Sequence, residues 1–197
     1  LEYPKLSRSH PYILTGQLRT FRRTTYLNFV IKGPAAEWRG HLSGESLDQI
    51  IEQLYSHLRQ PVIYQVIAQP MSQHNKLAAL SLAHDKSPDD LIVMRELSMM
   101  YFFTNELDKA MASADKLIQA ANTQNKPHHI GRALAYQGKL LALKDLPELS
   151  HQKLQLAKQQ FEQINDLKYL ARTWYYQSWL DDQQENYSSL KTNLLTT

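Results

Sequence analysis

The sequence predicts an α+β fold, mainly α, in which a small β-sheet and helix subdomain precedes a helical solenoid of about three helix pairs. Strand-like alternation of apolar and polar residues is confined to the first part of the chain, whereas helical spacing repeats every forty residues in the rest. We therefore predict two domains, residues 1–70 and residues 71–197.

The forty-residue repeat is clearest in the segment Arg132–Gly138, which recurs at Arg172–Ser178. Arg, Tyr and Gln match across the offset. The segment ends on a small residue, which is Gly138, Ser178 or, one period earlier, Ser98. A small residue at this spacing indicates that a neighbouring helix approaches closely.

A second pattern lies between these segments. Positions forty residues apart are small or apolar, in two series that lie four residues apart on one helix face. The series are Ala110, Ser150 and Leu190, and Ala114, Leu154 and Leu194. Turn-forming residues, Asn105, Asp145, Asn165-Asp166 and the segment Asn122–Pro127, separate the helices. The predicted pairs are Asp89–Phe103 with Glu106–Ala121, His128–Leu143 with Pro147–Ile164, and Leu167–Leu180 with Glu185–Thr197.

The first pair resembles the tetratricopeptide repeat, most closely its variant with extended helices. Its matching residues are Met94, Leu97, Ser98, Tyr101, Asn105, Leu107 and Ala110, with Pro88 where a preceding unit would end. Later units match more loosely, since Leu141 and Asp181 replace the tyrosine. An irregular helical bundle is the alternative.

Residues 12–42 alternate as strands do. After a polar lead-in, Leu1–Pro11, the predicted elements are strands Tyr12–Phe21, Thr24–Ile31 and Glu37–Leu42, a helix Leu47–Leu58 capped by Ser46, and a helix Ser72–His84 that caps the solenoid. Arg22-Arg23 is expected to be a solvated hairpin tip. The segment Val62–Ile67 is β-rich but short, and its pattern leaves strand and helix both open.

The order of these elements resembles the TolB-like amino-terminal domain. The resemblance rests on Tyr12-Ile-Leu-Thr-Gly16, Arg19, Tyr26–Ile31, Trp38 and Leu47–Leu58, although the family's upstream strands and helix are absent and Lys32-Gly33-Pro34 is not its usual turn. Half such a domain followed by repeats is similar to the sensory region of ToxR/CadC-like transcriptional regulators. That resemblance implies a periplasmic location, with a membrane span and a winged helix outside this chain.

The composition argues against several classes of protein and kinds of site. A net charge of +3, from 22 basic and 19 acidic side chains, is too balanced to imply nucleic-acid binding. The absence of cysteine excludes a disulfide or a thiolate metal site. No stretch reaches the roughly 18 apolar residues of a membrane span, and no signal peptide begins the chain. Since it opens on Leu1, we expect a piece of a longer protein.

The residues that could carry chemistry favour structural roles. The eight histidines show no HxxxH spacing, and we expect His128-His129 to be a solvated helix start rather than a metal site. Asp89-Asp90 is expected to complement a helix N-terminus, and Asp181-Asp182 to lie in a turn. No GxSxG elbow or phosphate-binding glycine loop is present. We therefore expect no enzyme, cofactor or metal.

The first helices of tetratricopeptide pairs line a concave groove, which is the predicted binding surface for a protein or peptide. The predicted contact residues are Arg95, Met99, Arg132, Lys139, Arg172, Tyr175 and Trp179. Arginine beside aromatics can grip a carboxylate-bearing segment. In the alternative interpretation, which the sequence favours, Tyr175 and Trp179 pack between helices and the basic residues are merely solvated.

The leading functional hypothesis is a non-enzymatic signal-sensing or protein-interaction region of a membrane-anchored bacterial transcriptional regulator. A small-molecule signal or a protein partner would bind the groove or the domain junction and alter self-association. The alternative is a soluble or lipoprotein repeat adaptor that binds another protein's peptide. An enzyme would require a catalytic domain, such as a cyclase, outside this chain.

Overall fold

The computed structural model describes residues 11–195, with side chains for residues 11–183. This part of the chain forms a three-stranded antiparallel sheet followed by eight helices, which confirms the predicted α+β, mainly α class. Nearly all of the predicted lead-in Leu1–Pro11 lies outside the described residues. The chain divides into two compact units, of which the first ends at Glu106 and the second begins at Leu107.

The sheet of the first unit is a simple meander. Its strands are β1 (Ile13–Phe21), β2 (Thr24–Lys32) and β3 (Glu37–Gly44), in the order β1-β2-β3. Arg22 adopts a positive φ of 56° in the predicted hairpin turn, and its neighbour Arg23 is exposed. Ile31 pairs with Trp38 across β2 and β3, and both are buried with Phe29 on one face.

Four helices follow in the first unit. They are α1 (Leu47–Leu58), α2 (Pro61–Ala68), α3 (Gln73–Lys86) and α4 (Leu91–Phe103). Side-chain oxygens cap three of them: Ser46 accepts the amide N–H of Gln49, Ser72 that of Asn75, and Asp90 those of Ile92 and Val93. Such caps satisfy amides that have no partner inside the helix.

The segment Val62–Ile67, for which the sequence left strand and helix both open, belongs to helix α2. Its β-branched residues suit a strand, but Val62, Ile63, Val66 and Ile67 are the buried ones. This spacing of one, three and one places them on one side of a helix, where a strand would bury every second residue. Pro61, at the first helical position, also favours a helix start.

The core of the first unit joins the sheet to all four helices. Phe29, Ile31 and Trp38 of the sheet pack in one cluster with Leu80 of α3 and with residues of α4 such as Ile92. The sequence assigned α3 and α4 to the solenoid, with a boundary after residue 70. Both helices contribute buried apolar residues to the cluster that contains the sheet's core residues, and the first compact unit extends to Glu106.

The second unit is a series of antiparallel helices: α5 (Leu107–Thr123), α6 (Pro127–Leu143), α7 (Pro147–Gln163) and α8 (Leu167–Leu195). Each packs against the next, and α6 also contacts α8. Ala110, Ala114, Ser150 and Leu154 are fully buried, as their forty-residue spacing predicts. The side chains of Leu190 and Leu194 lie outside the described part.

Four helix ends share one turn geometry. Asn105, Asn125, Asp145 and Asn165 adopt positive φ angles of 62°, 52°, 58° and 53°, at intervals of twenty residues. The next residue in each turn donates its amide N–H to the carbonyl five residues earlier, at 2.8 to 3.0 Å. This is the Schellman arrangement, and Asn and Asp tolerate the left-handed conformation it needs. The turns predicted at Asn105, Asp145 and Asn165 are therefore confirmed.

Helix α8 corrects the third predicted pair. The sequence predicted a turn at Asp181-Asp182 and a new helix from Glu185, but α8 runs without a break from Leu167 to Leu195. The segment contains no glycine or proline to interrupt it.

Among the described residues, no helix is long and apolar enough to span a membrane.

The predicted close approach of helices occurs at Gly138. A Cβ atom there would lie 2.9 Å from Cγ of Leu154 and 3.3 Å from the carbonyl oxygen of Ser150. The Ser150 hydroxyl donates a 2.8 Å hydrogen bond to the Gly138 carbonyl, so α6 and α7 meet almost backbone to backbone. Ser178, one period later, is exposed, and there the prediction is wrong.

Candidate functional site

Helices α6, α7 and α8 enclose a pocket of about 210 Å³ in the second unit. Its walls are mainly apolar and aromatic. The lining residues are Lys139, Ala142, Ser150, Leu154, Tyr175, Tyr176, Trp179 and Leu180. We call this the aromatic pocket. Two i, i+4 pairs on α8, Tyr175 with Trp179 and Tyr176 with Leu180, supply one side of it.

The two aromatic residues singled out from the sequence are exposed at this pocket. Tyr175 is 69% exposed and Trp179 is 44% exposed, so the expectation that they pack between helices is wrong. Leaving two large rings in water costs free energy that burial against a partner would recover. Lys139, which is also exposed, adds a cation to the lining.

The other four predicted contact residues do not line the aromatic pocket. Arg132 is half-buried, with its guanidinium carbon 4.9 Å from the centre of the Tyr169 ring. Arg172 is exposed, and its Nε donates a 2.9 Å hydrogen bond to the Tyr176 hydroxyl. It therefore helps to orient a ring that does line the pocket.

Arg95 and Met99 belong to α4 in the first unit. Arg95 is buried, with 6% of its surface exposed, and donates a 2.6 Å hydrogen bond to the carbonyl of Arg39. It is also paired with Glu96. Met99 is half-buried. The side chain of Arg95 thus fastens α4 to β3 and is not displayed for a partner.

Sequence reasoning missed five residues of the aromatic pocket: Ala142, Ser150, Leu154, Tyr176 and Leu180. Ser150 and Leu154 were assigned to packing alone, because they continue the buried series of the second helices. Ala142 lies three residues after Lys139 on the same helix face, which is a signal that helical spacing could have supplied.

The two histidines at the start of α6 are buried, against expectation. His128 and His129, predicted to be solvated, are 2% and 4% exposed. Nδ1 of His128 lies 2.8 Å from Oδ2 of Asp166, and its ring packs edge-on against Tyr169 at 4.9 Å. Asp166 also accepts the backbone N–H of Tyr169 at the start of α8. The pair therefore fixes where α8 begins relative to α6.

A buried lysine ties α7 to α8 beside the pocket. Nζ of Lys158 lies 3.6 Å from the centre of the Trp174 ring and donates a 2.6 Å hydrogen bond to Oε1 of Gln177. Burial lowers the pKa of Lys158, while the charges of Glu162 and Asp181 act in the opposite direction. The ring face and the amide replace part of the hydration that the ammonium loses.

The first unit contains a histidine–carboxylate pair that resembles a catalytic base in composition only. Nδ1 of His57 lies 3.0 Å from Oδ2 of Asp90, and its Nε2 accepts the Trp38 indole N–H at 2.9 Å. Since Nε2 is occupied and the ring is 5% exposed, His57 has no free site for a proton from substrate. Asp90 caps α4, which confirms the predicted role at a helix N-terminus.

Comparison with protein-family models, with curated proteins and with solved structures found no match to this chain.

Proposed function

We propose that this chain is a non-enzymatic interaction module whose second unit binds a protein or peptide segment at the aromatic pocket. The observation that carries the proposal is the exposure of Tyr175 and Trp179 at the mouth of a concave, apolar pocket. Aromatic residues are enriched at the centres of protein interfaces, where their burial supplies much of the binding free energy.

The size of the pocket indicates what it accepts. Its volume, about 210 Å³, is below the roughly 300 Å³ at which sites for drug-sized ligands begin. One apolar side chain of a partner would fill it, with the partner backbone crossing the rings of Tyr175 and Trp179. Lys139 favours a carboxylate next to that anchor residue, since a charged donor makes the stronger hydrogen bond.

The proposal is tested by selecting random peptides displayed on phage against the intact chain, followed by comparison of variants. We expect the selected peptides to share an apolar residue beside an acidic one. Their binding should fall at least tenfold in Trp179→Ala, in line with the roughly 2 kcal/mol lost at interface hot spots. Phe103→Ala is the matched control, because Phe103 is 52% exposed but lies in the first unit.

Two results would refute the proposal. One is a set of peptides whose binding is unchanged in Trp179→Ala and Tyr175→Ala. The other is an equal loss of binding in these variants and in Phe103→Ala, which would point to general adhesion of peptides to exposed rings.

We also propose that the module is the sensory region of a membrane-anchored, ToxR/CadC-like transcriptional regulator, located in the bacterial periplasm. The strand-strand-strand-helix order of β1, β2, β3 and α1 supports this, because it follows the TolB-like pattern from which the resemblance was drawn. Occupation of the pocket would then alter self-association, and only to the extent that the ligand prefers one of the two states.

The coding sequence upstream of Leu1 tests the regulator proposal separately. We expect a winged-helix segment followed by an apolar span of roughly 20 residues. A reading frame that lacks both would refute it and leave the repeat adaptor, for which the aromatic pocket keeps the same role.

A further inference from the structure

We propose that the first unit carries a second, independent site, which binds a small aliphatic carboxylate. The site is a cleft of about 240 Å³ between the end of α1, the start of α2 and the last turns of α3. We call it the basic cleft. Its lining residues belong to the segments 56–65 and 79–87.

The charge of the basic cleft selects an anion. Arg59 and Lys86 line it, and among the described residues no acidic side chain does. Neither cation has a carboxylate partner in the part of the chain that the structure describes. Two unneutralised cations on one concave surface raise the local concentration of anions and suit a carboxylate, which can accept several hydrogen bonds.

Arg59 is held in place before any ligand arrives. Its Nη2 donates a 3.0 Å hydrogen bond to the Tyr55 hydroxyl, and its guanidinium carbon lies 4.5 Å from the centre of the Tyr55 ring. The guanidinium has five N–H donors, so this contact leaves others available. A positioned arginine loses less conformational entropy on binding than a mobile one.

The walls of the basic cleft are set by the fold of the first unit. Gln60 donates a hydrogen bond to Asp90, the residue that caps α4. Helix α2 begins at Pro61 without a side-chain cap, and the partial positive charge of its N-terminus adds to that of the two cations.

The rest of the basic cleft selects an alkyl chain. Val62 is buried, Ala79 and Ala83 are half-buried, and Leu82 leaves 57% of its surface in water. This apolar surface lies in the same cleft as the cations, so an occupant with one carboxylate and a short hydrocarbon tail satisfies both. A volume of about 240 Å³ is below the roughly 300 Å³ at which sites for drug-sized ligands begin, and it favours a chain about as short as hexanoate.

The test is titration of the ¹⁵N-labelled intact chain with hexanoate, followed by NMR. We expect shifts confined to the amides of residues 56–65 and 79–87, with weaker binding as salt increases. Hexanol, which lacks the charge, and hexylammonium, which reverses it, should bind at least tenfold more weakly. Arg59→Gln should weaken hexanoate binding about tenfold, because a hydrogen bond to a charged group is lost.

The control for the loss of charge is Arg23→Gln, which removes an exposed arginine at the hairpin tip. Equal binding of hexanol and hexanoate, or equal weakening in Arg23→Gln and Arg59→Gln, would overturn the proposal. So would the absence of shifts in these two segments at millimolar hexanoate. None of these outcomes bears on the aromatic pocket, which lies in the other unit.

Discussion

Asp90 divides its two carboxylate oxygens between a helix terminus and a buried histidine. Oδ1 accepts the amide N–H groups of Ile92 and Val93 at 2.8 and 3.0 Å. Oδ2 meets His57 and Gln60. Through His57 the network reaches the indole of Trp38 on β3. One side chain thus links the start of α4 to α1 and to the sheet.

Replacement of Asp90 tests this network. Asp90→Ala removes a helix cap, worth about 1 kcal/mol, and leaves a buried His57 donor unsatisfied at a further cost of 1–3 kcal/mol. We expect the free energy of unfolding to fall by about 3 kcal/mol, measured by urea denaturation. Asp85→Ala, which removes an exposed carboxylate near the end of α3, should change it by less than about 0.5 kcal/mol. Equal effects would contradict the network.

The same carboxylate predicts how stability depends on pH. Burial by itself raises the pKa of Asp90, but the hydrogen bond and electrostatic attraction from His57 and the hydrogen bonds from Val93 and Gln60 outweigh it and lower the pKa from 3.8 to about 2. A lowered pKa stabilises the folded state at pH above the unfolded value, and that contribution is lost as the pH falls through the folded value. Stability should therefore drop by about 2 kcal/mol between roughly pH 5 and pH 2.

The measurement is urea denaturation of the wild type and of Asp90→Ala across this pH range. The variant lacks the titrating group, so its stability should fall less steeply. Parallel curves for the two proteins would assign the pH dependence to other carboxylates.

The sequence could predict the capping role of Asp90 from its position after Ser87-Pro88. It could not predict His57 as its partner, because that contact joins residues 33 apart.

At the scale of elements, the same residue type adopts a left-handed conformation in one turn and a right-handed helical conformation elsewhere. Asp145 adopts a φ of 58° in a turn, whereas Asp181 and Asp182 lie inside α8. Aspartate tolerates both conformations, so the residue type alone does not distinguish them. The turns at twenty-residue intervals were predictable because asparagine or aspartate coincides there with the end of an apolar helical pattern.

A proline in α8 tests whether the helix is continuous through Asp181 and Asp182. Asp182→Pro would remove a backbone hydrogen bond and clash with the preceding turn, at a cost of about 3 kcal/mol if the helix is continuous. We expect circular dichroism to show a loss of helix. Leu167→Pro places a proline at the first position of α8, where Pro127 and Pro147 stand in α6 and α7, and should leave the spectrum unchanged. An unchanged spectrum for Asp182→Pro would instead support the predicted turn at Asp181-Asp182.

The contact of α6 with α7 gives a second prediction at this scale. In Gly138→Ala the new methyl group would overlap Leu154 and the backbone of Ser150, so we expect a loss of about 1–3 kcal/mol in the free energy of unfolding. Ser178→Ala, the exposed position one period later, should change it by less than about 0.5 kcal/mol. Thermal unfolding of both variants measures the difference, and equal stabilities would argue against the close approach.

At the scale of the whole molecule, the sequence predicted the fold class and the order of the three strands and α1, but it left α2 open and divided α8 in two. It placed a domain boundary after residue 70, whereas the first compact unit ends at Glu106. Periodicity identifies a helix such as α4 without saying what its apolar face contacts. Here Ile92 and its neighbours pack with the sheet. The sequence predicted only part of the aromatic pocket. Lys139, Tyr175 and Trp179 were placed on one predicted groove, whereas Ser150 and Leu154 of α7 reach the pocket only through the packing of α7 against its neighbours.

The central claim is that the aromatic pocket receives an apolar side chain of a partner. A double-mutant cycle between Trp179→Ala and alanine at the apolar anchor of a selected peptide, with Kd measured by calorimetry, tests it most directly. If the two side chains touch, their effects are not additive, and we expect a coupling free energy of at least about 1 kcal/mol. Additive effects within about 0.3 kcal/mol would contradict the claim, because the anchor would then bind elsewhere.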